Sequence, residues 1–119
     1  MHPPTFPLSS NQVLDFLSEL FPGFRESWDE DENPYINPDG RFSIHSVFIE
    51  FTDFFGRYVQ NPEKPRLVAL ANFINQGMAA DPSFENAVST CFLEHLHQIR
   101  AKKILKPFLG PQAKSQLRS

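Results

Sequence analysis

Cys91 and His95 stand four residues apart in this 119-residue chain. On a helix that spacing places them on one face. There an imidazole can take the thiol proton to leave a nucleophilic thiolate, or the two side chains can supply half of a zinc site. No further ligand pair stands ready to complete such a site. His97 points away from His95 on a helix, so the two histidines cannot share one metal. Cys91 and His95 also fall within an apolar stripe of Phe84, Ala87, Val88, Cys91, Phe92, His95, Leu96 and Ile99. A small buried thiol beside a hydrogen-bonded histidine is the reading which that stripe favours. The five glycines are isolated, which excludes a glycine-rich phosphate loop, and a serine-centred elbow is missing. The expectation is a protein that is not an enzyme and carries no cofactor.

Two charged segments offer other chemistry. Between Phe24 and Arg41 lie Glu26, Asp29, Glu30, Asp31, Glu32 and Asp39, with Trp28 and Tyr35 among them. Hard cations take carboxylate oxygens, but the regular alternation and central glycine of an EF-hand loop are lacking, so no metal is expected. Aromatic anchors ringed by charge are what tight protein interfaces use. These eight residues are therefore the candidate partner-binding set. The second segment is the basic end, where Arg100, Lys102, Lys103, Lys106, Lys114 and Arg118 follow Ile99 without an acid. Cations in the last turns of a helix are favoured by its dipole, which accounts for Arg100 to Lys106 without any ligand.

The elements that must position these residues are helical. Ser9-Ser10 can cap a first helix, Asn11 to Leu20, in which Val13, Leu14, Phe16, Leu17, Leu20 and Phe21 recur at helical spacing. Pro22-Gly23 stops it, and the proline-, glycine- and acid-rich residues 24–41 read as an irregular loop. A second helix runs from Phe42 to Tyr58, with Phe48, Phe51, Phe54 and Phe55 on one wide stripe. Pro65 opens a third, and Asp81-Pro82 caps and opens a fourth that extends to about Ile104. The expected fold is all-α, with four main helices in antiparallel hairpins of HEAT-like kind. It forms a single domain over 1–119 whose ends, 1–9 and 112–119, are flexible.

Composition agrees. Hydrophobic residues make up 40% and charged residues 21%, too apolar for a disordered chain, and no apolar run is long enough to span a bilayer. The lone Cys91 and the absence of an export signal at Met1 to Pro7 predict a cytoplasmic protein. Thirteen phenylalanines stand against one tryptophan and two tyrosines, which a Phe-rich core explains. Net charge is −3 but uneven: residues 1–60 hold ten acids and three bases, residues 61–119 four acids and eight bases. Such a chain lacks the general basic footprint of a nucleic-acid binder.

One segment carries a resemblance. Phe84 to Leu96, FENAVSTCFLEHL, is similar to a signature of small bacterial all-helical proteins of the toxin-immunity type. Ala71-Asn72-Phe73-Ile74-Asn75 before it and Leu105 to Lys114 after it extend the similarity over roughly 48–114. His95 departs from it by standing in place of an asparagine. The resemblance implies a stoichiometric inhibitor that occludes a cognate protein toxin, with Phe84, Ala87, Val88, Cys91, Phe92 and Leu96 as scaffold. An acidic loop suits a cationic toxin such as a nuclease. The alternative is a helical adaptor without catalytic activity, which expects some of Phe48, Phe51, Phe54 and Phe55 to be exposed as an apolar patch.

Overall fold

The computed structural model describes residues 5–29, 34 and 36–117, and among them helices are joined by turns and irregular segments, without a strand. Ser9 caps α1 (Ser10–Leu20): its hydroxyl accepts from the Gln12 amide and the Gln12 side chain accepts from the Ser9 amide. This reciprocal capping box satisfies two amides that have no partner within the helix. Val13, Leu14 and Leu17 turn inward.

Pro22-Gly23 does not lead into a loop. Pro22 occupies the first position of α2 (Pro22–Trp28), where its missing amide costs nothing. The irregular segment expected from Phe24 therefore begins only after Trp28. Phe24 and Trp28, four residues apart, bury the same face of this short helix, and that burial outweighs the charge around them. In the loop beyond, Asn37 to Gly40 close a turn, with the Gly40 amide donating to the Asn37 carbonyl at 2.8 Å and Gly40 at a φ of +85°.

Ser43 caps α3 (Ile44–Tyr58), the central element. Its Phe51 ring meets Phe24 at 5.1 Å between centroids and Phe92 at 5.4 Å, and Phe48 meets Phe84 at 5.5 Å. All thirteen phenylalanines are buried or half-buried, so the surplus is core. A single residue, Asp81, joins α4 (Lys64–Ala80) to α5 (Pro82–Cys91) as a helical hairpin. The Asp81 carboxylate accepts from the Ser83 amide at 3.0 Å, and Pro82 takes the first position, as the spacing predicts.

The fourth predicted helix is broken. It ends at Cys91, and a 3-10 turn (Leu93–His95) follows Phe92, whose φ and ψ are −128° and −63°. In an unbroken helix, nine residues at about 100° each would put Leu93 on the side opposite Phe84. The break brings both inside at 0% exposure. Two short helices, α6 (Lys102–Leu105) and α7 (Pro111–Lys114), complete the chain. The described parts of both ends are packed. Phe6 lies edge-on to Phe84, Ala113 is buried, and Asn75 of α4 accepts from the Gly110 amide at 2.9 Å. Among the described residues no helix is long and apolar enough to cross a membrane.

Candidate functional site

The described part of the acidic segment belongs to a surface that α1 and α2 build together. Asp15 and Glu19 are exposed one turn apart on α1, and Glu26 and Asp29 are exposed on and just after α2. The Arg25 guanidinium ties the two helices, 3.4 Å from Asp15 and 3.2 Å from Asp29. Pairs this exposed contribute little to stability, but they hold the carboxylates in register. Asp39 is exposed as well, and its carboxylate accepts from the Arg41 amide at 3.0 Å within the Asn37 to Gly40 turn. Asp15 and Glu19 are missed by a reading that stops at the first helix's apolar stripe. Their i, i+4 spacing on its outer face is the signal that finds them.

Trp28 does not stand among these carboxylates as an anchor. It is 2% exposed, and its ring lies 4.9 Å from Phe42 and 6.5 Å from Phe24. The reason is the helix that sequence patterning takes for loop, which turns residue 28 to the same side as residue 24. Glu30, Asp31, Glu32 and Tyr35 lie outside the described residues.

Cys91 and His95 do line one cleft, of about 370 Å³, between α3 and the broken end of α5, together with Ile49, Glu50, Thr52, Asp53, Gln98 and Ile99. The cleft disfavours a thiolate at Cys91. Burial pushes the Cys91 thiol above its ordinary value of 9.0, and the nearby Glu94 carboxylate pushes it further. A thiol so placed keeps its proton at neutral pH. The His95 ring bonds Gln98, Nδ1 to Oε1 at 2.8 Å. Among the described residues no group of three or more histidines, cysteines and carboxylates converges to hold a metal.

The basic end is drawn into a third feature, a concavity of about 350 Å³ bounded by His97, Arg100, Lys102 and Lys103. The sequence reading spreads these cations along the last turns of a long helix. Because the helix breaks, they gather instead around a tight turn.

No curated protein and no solved structure matches the chain. Residues 14–119 match the family described as a domain of unknown function, DUF7674, and the chain belongs to that family.

Proposed function

We propose that this protein is a stoichiometric, non-catalytic binding protein of the immunity type, which occludes a cationic protein toxin with the acidic surface of α1 and α2. The observation that carries this reading is the exposure of Asp15, Glu19, Glu26 and Asp29 on and beside the first two helices, in the half of the chain that holds ten acids. Such a surface speeds the approach of a basic partner and can sit where that partner's polyanionic substrate would sit. The resemblance of FENAVSTCFLEHL to immunity proteins supports the same reading, with Phe84, Ala87, Val88, Phe92 and Leu96 at 0% exposure serving as scaffold. The apolar patch that an adaptor would use finds no support at Phe48, Phe51 and Phe55, which are at 0% exposure.

The test starts with capture of the tagged protein from its source cells under rising salt, with the products of adjacent genes included, followed by kinetics on the protein recovered. Replacing Asp29, Glu30, Asp31 and Glu32 together with their amides is expected to slow association about tenfold and flatten its salt dependence. An association rate that does not change removes this surface from the interface. A recovered protein that is harmless when expressed alone removes the immunity reading.

A further inference from the structure

We propose that a hollow along α1 receives an arginine side chain of the cationic protein partner. The proposal rests on the reading of α1 and α2 as the partner's surface and deepens it, by naming the side chain that seats there and the place where it seats.

The hollow, of about 330 Å³, is lined by Thr5, Leu8, Gln12, Asp15, Phe16 and Glu19. Gln12, Asp15, Phe16 and Glu19 stand at i, i+3, i+4 and i+7 of α1 and so share one face. The segment before the helix brings Thr5 and Leu8 to the same hollow. The capping box holds one wall in place, because the Gln12 side chain accepts from the Ser9 amide at 2.9 Å. The apolar lining is Leu8 and Phe16, both half-buried. Phe16 stacks on Phe73, with ring centroids 4.0 Å apart and planes 16° from parallel. That stack takes one face of the ring and fixes its orientation, so what Phe16 offers the hollow is its remaining surface.

The charge lies toward one end. Asp15 and Glu19 are about 6 Å apart along the helix axis and bracket Phe16, while Leu8 precedes the helix and stands toward its start. Asp15 meets Arg25 at 3.4 Å through one oxygen, and its side chain is still 67% exposed. The Glu19 carboxylate is exposed and has neither an ion pair nor a hydrogen bond among the described residues. No cation belongs to the described lining.

Those features select the occupant. An apolar trough with carboxylates at one end matches a side chain that has an apolar stem and a cationic head. Lysine and arginine both have one, and Phe16 decides between them. A guanidinium is planar and weakly hydrated, so it lies against an aromatic ring more readily than an ammonium does, and its fork of donors serves carboxylates on both sides. A purely apolar side chain would leave Asp15 and Glu19 unanswered and draw them out of water.

The test is an amide-resolved NMR titration of the full chain at constant ionic strength. The probes are N-acetyl-arginine methylamide, its lysine counterpart, and its citrulline counterpart, which keeps the shape of arginine without the charge. Saturable shifts between Thr5 and Glu19 are expected with the arginine probe, at least about threefold weaker binding with lysine, and none with citrulline. Glu19→Gln, at an exposed position with no contact for the fold to lose, is expected to weaken arginine binding about threefold, and Phe16→Leu by a similar factor. Shifts that never saturate, equal binding of the lysine or citrulline probe, or full binding by both variants would each overturn the proposal. Arginine binding that is absent while neutralising Asp29 to Glu32 still slows the partner's association overturns the hollow and spares the acidic surface. Arginine bound beside an unchanged association overturns the acidic-surface reading instead.

Discussion

The hydroxyl of Thr52 in α3 lies 2.6 Å from the carbonyl oxygen of Cys91, the last residue of α5, and 2.7 Å from the Phe48 carbonyl one turn behind it. One hydroxyl proton is shared between two backbone acceptors. The Cys91 carbonyl needs it because the His95 amide, which would serve it in a continued helix, donates to Phe92 instead. Thr52 is 9% exposed, so water is a poor substitute. The side chain therefore satisfies the carbonyl that the helix break leaves over.

Thr52→Val keeps the shape of the side chain and removes the bond. The expected loss is about 1–2 kcal/mol in chemical denaturation, with a fall in melting temperature of about 4 °C per kcal/mol. Thr52→Ser, which retains the hydroxyl, is expected to lose less than Thr52→Val. A valine variant as stable as the parent would show that the shared bond contributes nothing net.

Gly77 of α4 lies directly against the Phe84 ring of α5. A Cβ built there would stand 2.3 Å from Cε1 of Phe84 and 2.8 Å from Cε1 of Phe6, and Phe84 is fully buried with no room to swing aside. In an exposed helix, alanine would gain about 1 kcal/mol over glycine. Here Gly77→Ala is expected to lose about 1–3 kcal/mol from overpacking. An alanine variant with a raised melting temperature would contradict this packing.

Trp28 is the only tryptophan, so fluorescence reports on it alone. Its emission is expected to be blue-shifted and poorly quenched by iodide in the folded protein, and to move red on unfolding. Trp28→Ala is expected to cost about 3–5 kcal/mol, the loss typical of a large core aromatic. Ready quenching in the native state would return Trp28 to the surface and to the list of partner contacts.

Cys91 is expected to react with iodoacetamide far more slowly than a free thiol at neutral pH, because it is buried and its ionisation is pushed upward. The same shift has a sign for stability. The unfolded chain releases the thiol proton at the ordinary value while the folded chain still holds it. Stability from this group is thus complete below pH 9.0 and falls as pH rises through that value. Cys91→Ala, lacking the titration, is expected to show a shallower loss between neutral and alkaline pH. Rapid alkylation of the native protein would mean an accessible thiolate and would reopen nucleophilic chemistry in the cleft with His95.

What the sequence alone determined was local. The helical class, the cap at Ser9, the Asp81-Pro82 start of α5 and the inward stripe of Phe48, Phe51 and Phe55 all follow from spacing and capping chemistry within a few residues. The charge imbalance between the halves was legible in the same way, whereas Cys91 and His95 share a cleft although the helix that was to put them on one face ends at Cys91. Tertiary packing decided the rest. Pro22 reads equally as the end of one helix or the start of the next, and only the aromatic layer on α3 draws Phe24 and Trp28 into a helix and hides the tryptophan. Nothing near Phe92 signals a stop, since neither glycine nor proline stands between Pro82 and Pro107. The chain breaks there because a straight helix would leave Leu93 in water, and because Thr52, thirty-nine residues earlier, can satisfy the carbonyl that the break exposes. That break gathers His97, Arg100, Lys102 and Lys103 around one turn, a clustering that depends on long-range contacts no local pattern encodes.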